Sequence, residues 1–447
     1  MAERQDKRLD SWKEISAYLG RDLRTVVRWE KDKGLPVHRV PGGKRHAVFA
    51  YTEEIDAWLG GGPAAPDAPA PQGALGVNAP LIELRGSRVH IRVALLAVTA
   101  GLLLVAVAYR PWIGGQRQVA RVSFSGNAVV AWDEAGKFVW SSQFPETLPE
   151  ASRTELLRRS YIGNLDGSDE AVLVSVPFVL SAATSRDELY CFSRAGKVRW
   201  RAAFTDSLTF GADRYGPPWR WTALHVYRAL DETRIAWALV HHTWWPSVLL
   251  VLDSEAEIVG KFVNSGFITA LNSLQTSAGP IVLAGGVSNA NDAGMLAVLD
   301  GRRISGRSPE KPGSAYECKN CPEGQPLRYF VFPRSELNLV TGSLYNEVKS
   351  IGVHGNGFQV RTQEAVPGNF QETYWVESIY EFSPDLELKQ AMHSDSYWDF
   401  HRRLELDGKV KHSPENCPER RQPKKVLAWA PETGWRELRL PLTILKR

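Results

Sequence analysis

The feature that most restricts the fold is a hairpin written more than once. Val130-Ala131-Trp132-Asp133-Glu134-Ala135-Gly136-Lys137-Phe138-Val139-Trp140 returns sixty residues later as Tyr190-Cys191-Phe192-Ser193-Arg194-Ala195-Gly196-Lys197-Val198-Arg199-Trp200. After another sixty comes a weaker copy, Leu250-Val251-Leu252-Asp253-Ser254-Glu255-Ala256-Glu257-Ile258. Each copy reads as a strand, a polar turn and a returning strand, and related hairpins are expected at Leu296–Ile304, Tyr380–Leu386 and Val426–Leu438. Between them lie further strand runs, such as Glu170–Leu180, Ile235–Val240 and Pro280–Gly285, so each unit has room for four strands. The chain's 16 Trp against 3 Met favour aromatic-rich β packing over helical bundles. Spread over about 329 residues, six hairpins give roughly 55 residues per unit, near the size of a propeller blade. The wide gap between the fourth and fifth hairpins has room for a seventh. Radial closure also hides the strand edges that an open array would expose. Residues 119–447 are therefore expected to form a large all-β propeller of about six to seven blades.

The N-terminal residues 1–59 have a different rhythm. Ser11 and Glu14 stand at capping-box spacing before an apolar stripe of Trp12, Ile15 and Leu19, and Gly20 is a natural stop. Asp22 can cap a second helix through Leu23, Val26, Val27 and Trp29, a stop and restart typical of a helix-turn-helix. A hairpin should follow, from Leu35–Val40 through Gly42-Gly43-Lys44-Arg45 to Ala47–Tyr51, and then a helix with Ile55, Trp58 and Leu59 inward. Net charge over the whole chain is only +4, so any nucleic-acid site must be local. From Arg21 to His46 there are eight Lys/Arg against three Asp/Glu, the footprint of a phosphate-contacting face.

This segment resembles the winged helix-turn-helix of the MerR and excisionase type. The likeness rests on Gly20-Arg21-Asp22-Leu23-Arg24-Thr25-Val26-Val27-Arg28-Trp29, Gly34-Leu35-Pro36, Gly43-Lys44-Arg45 and Asp56-Ala57-Trp58-Leu59. The resemblance implies that Arg24, Thr25 and Arg28 read bases and that Lys44 and Arg45 sit on the wing. Arg21, where the family usually places an apolar residue, and Arg39 complete the expected DNA-contacting set. A single module makes few contacts, so a homodimer on double-stranded DNA is expected.

Between the two regions, Gly, Ala and Pro fill sixteen of the twenty-one positions 60–80, a composition that reads as a linker running to residue 88. Val93–Tyr109 then holds seventeen residues without a charge, about 26 Å of helix, flanked by Arg92, Arg110 and Trp112. One transmembrane helix within 89–113 is expected. Arg85, Arg88 and Arg92 before it balance Arg110, Arg117 and Arg121 after it, so charge bias leaves orientation open. With no apolar leader in residues 1–30, a DNA-reading head implies a bacterial inner-membrane protein with its N-terminus cytoplasmic and residues 119–447 extracytoplasmic.

The Asp-x-x-Gly-Lys-x-x-Trp units resemble the repeats of quinoprotein-type (PQQ-like) propellers, and Asn164-Leu165-Asp166-Gly167-Ser168-Asp169-Glu170 resembles the calcium loop of integrin-type propellers. The first likeness implies architecture only. The second makes Asp166 and Asp169 a Ca2+ candidate, with an ordinary Asp-Gly turn as the plainer reading. Four Cys exclude a disulfide-dense scaffold. Cys318–Cys321 or Cys321–Cys417 is the expected bridge, with Cys191 buried and reduced on a strand. Alternatively Cys318, Cys321 and Cys417 with His412 or His401 could bind zinc. His393, Asp395, Asp399 and His401 could be acid–base machinery, but an aromatic-rich strand pair fits equally well. No catalytic motif stands out and no cofactor is expected.

These parts make a multidomain chain: a small α domain with a β wing, one membrane helix and a large β-propeller. The functional expectation is a membrane-anchored DNA-binding transcriptional regulator, not an enzyme, whose propeller meets an extracytoplasmic ligand or protein. The alternatives are a periplasmic quinoprotein-like enzyme and an envelope scaffold with a DNA-tethering head.

Overall fold

Four turns of one design punctuate the chain beyond residue 117. The amide of Asp133 donates to the Lys137 carbonyl, Gly136 N–H returns to the Asp133 carbonyl, and Lys137 N–H donates to Asp133 Oδ1 at 2.7 Å. Ser193 with Gly196 and Lys197, Asp253 with Ala256 and Glu257, and Ser383 with Leu386 and Glu387 repeat all three bonds. An Asp or Ser at the first position is required because its side chain must accept that last amide. The fourth residue is left-handed throughout, with φ of 73° at Gly136, 80° at Gly196, 71° at Ala256 and 64° at Leu386. Next to each turn the strand pairing slips by a bulge, as expected of a type I turn followed by a left-handed residue.

Left-handed backbone costs a side-chain-bearing residue about 1–2 kcal/mol, so Ala256→Gly should stabilise the chain by about 1 kcal/mol in urea unfolding. Gly196→Ala should cost more than Gly136→Ala. A Cβ at 196 would lie 2.7 Å from ring atoms of Trp140, whereas at 136 the nearest atom is an Arg121 nitrogen at 3.6 Å.

The computed structural model describes residues 8–9, 11–19, 26, 29–30, 35–39, 48–52, 54–55, 117–167, 170–178, 185–241, 246–355, 357–365, 376–420 and 425–438. The chain divides into two compact units, Met1–Gln116 and Arg117–Arg447.

In the C-terminal unit the turns close hairpins within a series of antiparallel sheets. The first sheet holds Arg121–Ser125, Ala128–Trp132 and Phe138–Gln143. The second holds Ser160–Asn164, Glu170–Phe178, Arg186–Ser193 and Val198–Ala202. The third begins with Trp219–Ala229, Glu232–His241, Ser247–Leu252 and Ile258–Asn264. The fourth begins with Ile268–Thr276, Gly279–Ser288, Ala293–Asp300 and Arg328–Phe332. The fifth holds Glu347–His354, Gly357–Ala365, Val376–Phe382 and Leu388–His393.

Alternation along each central strand divides its side chains between two neighbouring cores. Val172 and Val174 face Val129 and Trp140 of the first sheet, while Leu173 joins Trp237 and Leu239 of the third. Ala236 and Ala238, alternating with those two, turn instead to Val282 and Ala297 of the fourth. Leu283 and Val298 pack with Val360 and Tyr380 of the fifth. Burial on both faces explains why these strands read as continuous apolar runs. The first strands lie innermost, with Trp219–Ala229 against Ile268–Thr276 and the latter against Glu347–His354. The unit is thus propeller-like and dominated by β structure.

The expected fold class needs correction in three respects. Among the described residues there are five such sheets rather than six or seven blades, because the last expected hairpin founds no sheet of its own, and the expected Leu296–Ile304 hairpin does not close. Val426–Ala430 pairs with Arg328–Phe332, so the last hairpin extends the fourth sheet. The strand after Ile304, Ser305–Arg307, does not fold back on Ala293–Asp300 but runs parallel to Ile258–Asn264 in the third sheet. Second, no described helix is long and apolar enough to cross a membrane; the run 93–109 lies outside the described residues.

Third, the described part of the head is not the two-stranded, winged helical domain expected. Helix α1, Trp12–Leu19, does start at Ser11, whose Oγ accepts Glu14 N–H at 3.2 Å. Its neighbour is a three-stranded sheet in which Val48–Tyr51 pairs with His38–Arg39 on one side and Arg8–Leu9 on the other. The extra strand forms because Leu9 is apolar and buries with Ile15, Leu19, Val26, Leu35, Val48, Ala50 and Ile55. The remainder of the expected second helix, and Trp58 and Leu59, lie outside the described residues.

Candidate functional site

Helix α4, Asp395–Leu406, takes up the segment after His393, which ends a strand, where sequence equally allowed strands. Ser394 caps it by accepting Tyr397 N–H at 3.2 Å, and Tyr397, His401 and Leu404 form its buried stripe. That spacing, and the Ser–Asp start, are the signals that identify a helix here. His393 pairs with Ser378 Oγ at 3.0 Å and stacks on Tyr397 with ring centres 3.7 Å apart. His393 thus braces the helix, while Asp395 lies in its first turn.

Beside His401 of that stripe lies a polar cluster drawn from four segments. Helix α3, Glu336–Val340, capped by Ser335, supplies Glu336 at its first position. Helix α4 supplies His401, the following loop supplies His412, and Cys417 sits between two short 3-10 turns. His401 and Cys417 are fully buried, and the side chains of His412 and Glu336 are partly exposed. The two imidazoles meet Nε2 to Nε2 at 3.3 Å, His412 Nε2 lies 3.2 Å from Glu336 Oε2, and Cys417 Sγ lies 3.6 Å from the same oxygen. Burial, together with the Glu419 and Glu336 carboxylates, pushes the Cys417 thiol up to about 11. Burial and the adjacent His412 hold His401 below the ordinary histidine value. Glu419 accepts Glu336 N–H at 3.1 Å and the Tyr397 hydroxyl, fixing α3 against α4.

The other cysteines are elsewhere. Cys318 and Cys321 are disulfide-bonded, so the expected grouping of both with Cys417 around zinc does not form. Their loop is tied to the hairpin Leu208–Phe210/Asp213–Tyr215: Lys319 N–H donates to the Thr209 carbonyl at 2.8 Å, and Asn320 accepts Thr209 N–H at 2.7 Å. Cys191 is buried, unbridged and held above the ordinary thiol value, at about 12, by desolvation. Asp166 lies 3.4 Å from an Arg199 nitrogen, in a turn whose Gly167 N–H is capped by Asn164; Asp169 lies outside the described residues.

Of the expected DNA-contacting residues, Arg21, Arg24, Thr25, Arg28, Lys44 and Arg45 lie outside the described residues, and Arg39 is placed only as a strand position. Among the described residues of the N-terminal unit, His38 Nε2 lies 2.6 Å from Glu54 Oε2 and stacks on Phe49.

A cavity of about 460 Å³ opens on the innermost strands, lined by Arg158, Trp221, Thr269, Tyr345, Glu347 and Lys349. Lys349 Nζ stands 2.7 Å from Glu347, which also accepts the Thr269 hydroxyl at 2.9 Å. The walls thus offer an indole face, a guanidinium and a bridged ion pair, a mixture suited to a small polar ligand.

No family model matches this chain, and no curated protein matches it. Among solved structures, a protein of unknown function from Bacteroides caccae is 10% identical, covering 62% of this chain and 94% of its own, with a TM-score of 0.23. BBS1N, in its complex with ARL6DN, is 9% identical over 73% of this chain and 81% of its own, at a TM-score of 0.31. The WD40 domain of Neurospora crassa Pan2 is 11% identical over 54% and 68%, at 0.26. Likenesses this distant carry no argument; the propeller-like description of the C-terminal unit rests on its own sheet order and packing.

Proposed function

We propose that this chain is a membrane-anchored DNA-binding regulator whose β unit receives an extracytoplasmic ligand or protein. The observation that supports it is the shared N-terminal core. Val26, Leu35 and Val48 bury together, and in sequence the basic stretch with its excess of five positive charges surrounds Val26 and Leu35 and ends just before Val48. Arg24 and Arg28 stand two residues either side of Val26, and Lys44 and Arg45 precede Val48. Such a concentration of cations on a small folded unit suits the phosphate backbone of double-stranded DNA, where counterion release drives association. The uncharged run 93–109 is the segment this reading would make the anchor. The bridged Cys318–Cys321 pair suits an oxidising compartment for the β unit. Pairing of two chains would supply the contacts that one head lacks, and the cavity on the innermost strands is where a ligand could bias that pairing.

In DNA titrations of the purified full chain, Arg24→Ala/Arg28→Ala should weaken binding to its preferred sequence by roughly 1–3 kcal/mol for each base that is no longer read. Lys44→Ala should weaken binding evenly across sequences and lower the salt slope by about 1. Wild-type affinity that ignores salt concentration would remove the proposal.

A further inference from the structure

We propose that Glu336, His401, His412 and Cys417 bind one zinc ion, a site independent of the regulatory reading above. The donor set, two imidazoles, a thiolate and a carboxylate, is one that Zn2+ takes in tetrahedral sites. Zinc–ligand bonds of about 2.0–2.3 Å place the corners of such a tetrahedron about 3.3–3.6 Å apart. Three donor separations here are 3.2, 3.3 and 3.6 Å, and all four ligand atoms fall within 4.8 Å of one another.

The burial of His401 bears on how its Nε2 is used. His401 is fully buried, yet its Nδ1 has no hydrogen-bond partner among the described residues. The polar engagement of its ring is therefore through Nε2, which faces another ring nitrogen. Two neutral imidazoles can share one proton across that gap, whereas a cation between them engages both lone pairs and offsets the cost of burying the ring. Thiolate and carboxylate together would neutralise the ion's charge. Four protein ligands leave no open coordination position, so the site is structural rather than catalytic.

Its place in the chain gives it a role. Glu336 precedes the fifth sheet, and His401, His412 and Cys417 follow it, on the segment that carries the chain back to the fourth sheet. Zinc would close a loop around the whole fifth sheet, as a bridge between distant cysteines would. Sequence grouped Cys417 with His412 or His401 but missed Glu336, and completed the set instead with Cys318 and Cys321, which lie farther upstream and are consumed by a disulfide.

The test uses the purified full chain, stripped with EDTA and titrated with Zn2+ or Co2+. One metal per chain is expected, with the visible bands of tetrahedral Co2+ and a near-ultraviolet thiolate-to-cobalt band. Cys417→Ser should abolish the thiolate band, and His412→Ala should weaken binding by more than about 100-fold, beyond what loss of an outer-shell partner gives. Cys318→Ser/Cys321→Ser should change neither. EDTA should lower the melting temperature of the wild type but not of His412→Ala. If Cys417→Ser fails to fold, the partly exposed His412 and Glu336, replaced by Ala and Gln, carry the test. Substoichiometric binding, a thiolate band that survives loss of Cys417 or disappears with Cys318 and Cys321, or affinity indifferent to His412 would overturn the site.

Discussion

Asp187→Ala lowers the unfolding free energy of the C-terminal unit by about 3 kcal/mol, because it removes the more buried of the two carboxylates on Arg159 and leaves the Trp221 amide without its acceptor. Asp187 is 6% exposed and Arg159 is 8% exposed, with 2.5 Å between Oδ1 and Nη1. Arg159 belongs to helix α2, Arg153–Arg159, which leads into the second sheet. Its guanidinium also donates to Glu155 and to the Ser175 carbonyl, and lies 4.2 Å from the centre of the Trp221 ring. The second oxygen of Asp187 accepts Trp221 N–H at 3.0 Å, so one carboxylate joins the helix, the second sheet and the first strand of the third. Without it, two donors are deprived of an acceptor that water cannot replace. Denaturant unfolding of the full chain measures the loss. Replacing both partners, as in Arg159→Met/Asp187→Ala, should recover much of it, because the buried guanidinium goes too. A single variant within 1 kcal/mol of wild type would show that the network is solvated.

Trp237→Ala should cost a similar amount, about 3–5 kcal/mol, by a different route. Trp237 is fully buried in the core between the second and third sheets, packed with Leu173, Leu189 and Cys191 of one and Leu239 and Leu250 of the other. Its Nε1 donates to Ser175 Oγ at 3.2 Å. Truncation leaves a cavity between two sheets that cannot close without moving both. Because Ser175 also receives Arg159, the Trp237 and Asp187 variants should not be additive. Phe at 237 should restore most of the packing and give up only the hydrogen bond. Equal losses for Phe and Ala would show that the hydrogen bond, not volume, decides.

Which features could be read from sequence follows from how local their causes are. The turns at Asp133, Ser193, Asp253 and Ser383 were legible because their geometry is set by a side chain and an amide four residues apart. The count of sheets was not. Ser305–Arg307 and Val426–Leu438 look like any other strands, and their partners are chosen by which edges lie near when the chain returns. The segment at Ser394 carried both signals, aromatic strand composition and a helix cap, and the cap with its Tyr397–His401–Leu404 stripe prevailed. Among the cysteines, the nearby pair bonded and the distant one joined the histidines. Sequence grouped all three because it has no measure of distance between Cys321 and Cys417.

The regulatory claim is tested most directly by crosslinking DNA to the full-length protein in intact cells, then recovering it with the membrane fraction. Discrete genomic sites should be enriched for the wild type and absent with Arg24→Ala/Arg28→Ala at equal protein level. Enrichment no different from the double variant, or DNA recovered only from soluble material, would contradict a membrane-anchored regulator.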